Sequence, residues 1–182
     1  MQGMGNAGVT QLSIRIDATP HLASGTQHGI ARYEMRNEND SAVTQHMSLN
    51  CGYRVKSLTI NGVETDFTDL KNDMGWSRQL AFQLPPGDVL EVVVAYGGYP
   101  QLWSVSEPTM EGDEVSSRYI YLTGTAFAPV MVAAYPGGKG VEASITLPAH
   151  MQPIVFGTGR TELLETHADG SKSWRLWSPG MM

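Results

Sequence analysis

Apolar and polar side chains alternate with a period of two along most of this chain, the repeat of a strand with one buried and one solvated face. Leu12, Ile14 and Ile16 alternate with Ser13, Arg15 and Asp17, and Ala31, Tyr33 and Met35 alternate with Arg32, Glu34 and Arg36. The turn residues between them, at 20–25, predict a hairpin. The polar cluster NENDS at 37–41 reads as a turn before a third strand carrying Met47 and Leu49. Val55, Leu58 and Ile60 then change parity, which predicts a bulge. Asn61-Gly62 is a strong two-residue turn signal, with residues 63–67 as the return strand. Leu80, Phe82 and Leu84 lead into a Pro-Pro-Gly-Asp turn at 85–88, followed by Leu90, Val92, Val94 and Tyr96. Val93 interrupts the polar face of that last strand, which predicts a central position in a sheet.

The second half is less regular. Residues 97–112 carry Pro100, Trp103 and Pro108 and read as a long loop, the one weak point in the chain. Residues 118–123 are rich in strand formers, and 124–132 combine a small-residue turn with an apolar run. A strand from 139 ends at Pro148, an apolar segment ends at Gly159, and two strands flank Asp169-Gly170. No eleven-residue window shows a helical stripe, and residues 69–74 could form one helical turn at most. Short strands punctuated by Gly, Pro and Asn-Gly predict an all-β sandwich or open sheet. The expected organisation is a flexible lead-in at 1–8, a single β-domain at 9–179 and a tail at 180–182.

Composition narrows the function classes. With 182 residues, 41% hydrophobic and 16% charged, the chain can bury a sizeable core. The net charge is −6, and the twelve Lys and Arg are scattered, so the basic stripe that nucleic acid requires is missing. No stretch approaches the roughly 18 apolar residues of a membrane span, and the first eight residues lack the features of a signal peptide. These observations predict no nucleic-acid partner and no membrane contact by this segment. Cys51 is the single cysteine, which rules out an intramolecular disulfide, and it reads as a small buried apolar residue.

The candidate chemistry is thin. None of the five histidines forms the H-E-x-x-H pattern of a helical zinc site. His21 and His28 flank the first hairpin turn, read as exposed, and could approach each other across strands; His46 reads as a sheet-surface residue. Gly157-Thr158-Gly159 and Gly137-Gly138-Lys139-Gly140 lack the spacing of a phosphate loop and read as bends. Glu107, Glu111, Asp113 and Glu114 are close in sequence but lack the spacing of a calcium loop. Trp174 and Trp177 have opposite parity, so at most one faces the core. Trp103 and Trp177 are therefore the aromatic candidates for an interface.

The order of motifs resembles the N-terminal β-domain of M1-family, aminopeptidase N-like zinc metallopeptidases of a divergent bacterial type. The pieces are LSIRIDATPHLASGT, GIARYEM, VKSLTINGVETDF, RQLAFQLPPGDVLEVVVAYGGYP, RYIYLTGTAFAPV and VEASITLP, with the closing hairpin after them. The resemblance covers most of 9–179 by pattern more than by identity. It implies a saddle-like, mostly antiparallel β structure that packs on a catalytic domain and helps wall the substrate cleft. In that family a Gln or Glu from a late strand holds the substrate's amine. Here the position falls at Thr123, Gly124 and Thr125, followed by Phe127, and no carboxylate or amide stands there. The family's Pro-Cys-x-Asp-Glu-Pro-like turn is reduced to Ala128-Pro129-Val130.

The expectation is a domain that is not an enzyme by itself and carries no catalytic or metal-ligating residue. The resemblance places zinc in a catalytic domain downstream, which is also the expected partner. A peptide substrate is expected only through the full-length parent, and the parent is expected to be membrane-associated or extracytoplasmic. The alternative reading is a free-standing extracellular module that binds a glycan or protein through its aromatic loop.

Overall fold

A computed structural model describes residues 8–71, 77–100, 114–115, 120–121, 129–132, 135–136, 140–155 and 158–179. The described residues form strands and turns and no helix. The strands are β1 (Val9–His21), β2 (Thr26–Asn37), β3 (Val43–Asn50), β4 (Tyr53–Ile60), β5 (Val63–Glu64), β6 (Phe67–Lys71), β7 (Ser77–Leu84), β8 (Gly87–Gly98), β9 (Glu114–Val115), β10 (Ile120–Tyr121), β11 (Val130–Val132), β12 (Tyr135–Pro136), β13 (Val141–Leu147), β14 (Arg160–Thr166) and β15 (Lys172–Ser178).

The larger sheet has the order β14-β15-β13-β1-β2-β8-β4-β5, with β12 also paired to β1. A four-stranded sheet runs β11-β3-β7-β6, and β9 pairs with β10. The pairing is antiparallel except where β1 meets β12 and β13. The all-β architecture expected from the alternation, and the mostly antiparallel pairing implied by the resemblance, are therefore the ones found. The central position of β8, between β2 and β4, also matches its nearly continuous apolar run.

One core unites the two main sheets. From the large sheet come Ile14, Ile16, Tyr33, Met35, Leu58, Val92, Val94, Val141 and Ile145; from the smaller come Met47, Leu49, Leu80, Phe82, Leu84 and Met131. These positions recur every second residue within each strand, so burial selects one face and solvent the other. Truncating a fully buried member such as Leu49 or Leu80 would cost about 2–5 kcal/mol. The buried Tyr33 hydroxyl donates to the Pro129 carbonyl just before β11, tying the large sheet to the smaller one.

Turn chemistry follows the sequence closely at two places. Asn61 and Gly62 both have positive φ, 50° and 78°, the pattern of a type I′ hairpin turn. Asn61 adds a backbone N–H donated to the Glu91 carbonyl (2.8 Å) and a side-chain oxygen that accepts from the Glu91 N–H (2.9 Å). In the NENDS cluster, the buried Asn37 amide donates to the carbonyls of Leu84 (3.0 Å) and Ser41 (3.3 Å). Its oxygen accepts from the Asn39 N–H (3.1 Å), so one side chain satisfies both sides of the turn.

Several expectations need correction. Residues 69–71 belong to β6 and so do not start a helical turn. Pairing with Phe82 on β7 draws Phe67 into the smaller sheet, and only Val63 and Glu64 return along β4. Gly97 and Gly98 complete β8 instead of opening a loop, because they pair with β2 and β4. Leu12 is the extra residue of a bulge between Gln11 and Ser13, so it leaves the face formed by Ile14 and Ile16. The parity slip near Val55 is a bulge as expected, with Lys56 as its unpaired residue.

Candidate functional site

Of the residues expected to line a cleft or an interface, Trp177 lies within the described set. Thr123, Gly124, Thr125, Phe127 and Trp103 lie outside it. Residues 107, 111 and 113 of the acidic loop and 137–139 of the glycine cluster lie outside it as well.

Trp177 sits on the outer, polar face of the large sheet. Its neighbour Trp174 takes the opposite side and packs against the core, as their parity requires. Trp177 stands directly between Glu142 on β13 and Arg160 on β14. The Arg160 guanidinium carbon lies 5.6 Å from the Trp177 ring centroid, a cation–π distance. Two residues along, Arg175 faces Glu162 across the β14–β15 pair. It reaches Glu162 at 3.2 Å and Glu142 at 3.4 Å, bridging the two carboxylates. These side chains and Thr161 line an open concavity of about 440 Å³. Two guanidinium groups and two carboxylates balance in charge, so the surface offers an aromatic face and fixed polar groups, and no strong field of one sign.

Trp177 stands out in the sequence, but its neighbours do not. A bulge between Leu163 and Glu165 sets their register. Counting outward from Asp169-Gly170 without that bulge places Arg160 opposite Ser178 and Glu162 opposite Leu176, which hides the ladder of charges. A signal was present in Arg160 and Glu162 on one strand and Arg175 on the other, but the alignment between them was not.

The first hairpin brings two histidines together. His21 and His28 lie diagonally across β1 and β2, with ring centroids 5.0 Å apart and planes at 66°. Both are exposed, as the sequence suggested. His28 is held below its ordinary pKa of 6.5, first by desolvation, then by the nearby Lys56 and His21. His46 is likewise an exposed sheet-surface residue.

Among the described residues, no group of three or more His, Cys, Asp or Glu side chains could hold a metal ion. The chain's own described residues therefore do not fit a catalytic zinc, which requires three protein ligands, and no step of zinc chemistry is assigned to them. Cys51 is buried, as expected of a packing residue.

The molecule is thus an all-β domain of two main sheets with a polar outer face. Neither a protein-family model nor a curated protein sequence matches the chain. Solved structures do. The M1 zinc metallopeptidase from Deinococcus radiodurans superposes with a TM-score of 0.63 at 15% identity, over 95% of this chain and 39% of that one. A mutant of that enzyme bound to a Tyr-Ser-Ala substrate gives 0.62 at 16%, over 95% and 40%. Native LTA4 hydrolase from yeast gives 0.60 at 11%, over 96% and 30%. The chain has a fold found in M1 zinc metallopeptidases, consistent with the N-terminal β-domain that its motif order resembles. It spans 30% to 40% of the length of these three structures.

Proposed function

We propose that this chain is the non-catalytic N-terminal β-domain of an M1-like zinc metallopeptidase, packing on a catalytic domain outside these 182 residues and helping to wall its substrate cleft. The observation that carries this reading is the asymmetry of coverage: 95% of this chain superposes on 39% of a peptidase chain. Zinc and its general base would then belong to the catalytic domain, where the metal would supply Lewis-acid chemistry for amide hydrolysis. This chain's contribution is shape and contact. Trp177 and Arg160 supply a rigid aromatic and cationic surface. In this reading Thr123, Gly124, Thr125 and Phe127 face the cleft, and Trp103 is a second interface aromatic. A bacterial, membrane-associated or extracytoplasmic parent goes with the same reading and is checked by fractionating cells that express it.

Two measurements test the proposal. The reading frame that encodes this segment should continue into a His-Glu-x-x-His sequence followed by a Glu. The full product should hydrolyse aminoacyl p-nitroanilides in a zinc-dependent way, while the 182-residue chain should not. A frame without that motif, or zinc-dependent turnover by the chain alone, would overturn it.

A further inference from the structure

The geometry points to a divalent transition-metal site at the tip of the first hairpin, with His21 and His28 as its two protein ligands. Two imidazoles bound through ring nitrogens at about 2.0–2.1 Å from one metal place their ring centroids about 4.5–5.2 Å apart, for ligand angles between 90° and tetrahedral. The observed separation is 5.0 Å. The two strands thus already hold the rings at the separation that one shared ion requires.

The pair is held in place from below. His28 stands directly opposite Gly97 on β8, and its ring packs against that glycine. A Cβ at Gly97 would come within 2.2 Å of His28 Cδ2, so the glycine is what admits the ring. His21 stands opposite Thr26, next but one to His28 on β2, so both imidazoles leave the same face of the hairpin. At the turn itself, the Ser24 and Thr26 hydroxyls share a 2.7 Å hydrogen bond.

Two nitrogen ligands and open water positions define the class of ion. Imidazole suits Cu²⁺, Ni²⁺ and Zn²⁺, with Cu²⁺ tightest, whereas Mg²⁺ and Ca²⁺ require oxygen-rich cages. The bound ion would staple β1 to β2 and keep its remaining positions for water or an outside ligand. This inference is independent of the peptidase reading, since it uses only residues of this hairpin.

The test is titration of the 182-residue chain with Cu²⁺, Ni²⁺, Zn²⁺ and Mg²⁺ by calorimetry, after treatment with a chelator. The expected result is one saturable Cu²⁺ site, weaker Ni²⁺ and Zn²⁺ binding, and no Mg²⁺ binding. Affinity should fall at least about tenfold in His21→Gln and in His28→Gln, a loss at the lower end of what disturbing a metal site produces. It should be unchanged in His46→Gln. In NMR spectra, Cu²⁺ should broaden the His21 and His28 ring signals first. Metal-free melting curves of the variants establish that they fold. Absence of saturable binding, or Cu²⁺ binding retained by the doubly substituted chain, would overturn the assignment.

Discussion

Tyr96 on β8 lays its ring over Gly29, the residue directly opposite it on β2, so closely that a Cβ at Gly29 would lie 2.4 Å from the ring. The next pair along the same two strands inverts the arrangement, with the His28 ring over Gly97. Because neighbouring positions point to opposite faces, one ring is pressed into the core and the other onto the outer surface. The two glycines thus let β2 and β8 carry an aromatic on each face at one crossing point.

Gly29→Ala should therefore be strongly destabilising for a single methyl. Tyr96 cannot swing aside cheaply, because it is almost wholly buried and packs against Tyr53 with ring centroids 5.7 Å apart. Overpacking of this kind costs about 1–3 kcal/mol. Urea denaturation should show a lower midpoint with an unchanged slope. A variant as stable as the parent would show that the Tyr96 ring has room to move.

Gly62→Ala tests the opposite situation. Nothing lies within 4 Å of a Cβ at Gly62, yet its φ is +78°. The penalty is purely conformational, about 1–2 kcal/mol, as for any L-residue forced into the left-handed region. Gly62→Asn should recover part of it, since Asn tolerates that region better than Ala. Equal stability of the Ala and Asn variants would argue against a strained turn.

Tyr33→Phe probes the link between the sheets. Burial raises the Tyr33 pKa well above its ordinary value, so the phenol keeps its proton and stays a donor to the Pro129 carbonyl. Removing it leaves that carbonyl without this donor in the core, a loss of about 1–3 kcal/mol. Chemical denaturation of Tyr33→Phe gives the value directly, and a change near zero would mean that water or another donor takes over.

The sequence made the strands legible wherever one face is core and the other is solvent. Ile14 and Ile16, Tyr33 and Met35, and Leu80 and Phe82 all alternate because the sheet leaves them no other choice. Asn61-Gly62 was readable for a local reason, since a two-residue turn with two positive φ values has few compatible sequences. The parallel pairing of β1 with β13 was not readable, since it joins segments more than a hundred residues apart without a local signal. The surface around Trp177 was hidden for a subtler reason. A single extra residue near Leu164 decides which charges meet, and a bulge on an exposed edge strand changes no hydrophobic pattern.

His28 makes a pH prediction whose sign follows from its environment. Its pKa is lowered in the folded state, with desolvation the largest cause, followed by Lys56 and His21. The unfolded chain then binds a proton more readily than the folded one between the lowered value and the ordinary 6.5. Stability should rise with pH through that window, be fully present above 6.5, and fall away as the pH drops through the folded pKa. Replacing His28 with Gln removes this group's proton uptake, so the slope of melting temperature against pH between about 5 and 7 should flatten relative to the parent. The comparison is made with a chelator present, because a metal held by the two histidines would steepen the same slope by releasing protons on binding. Parallel curves for the two proteins would show that His28 is not kept from its proton in the folded state.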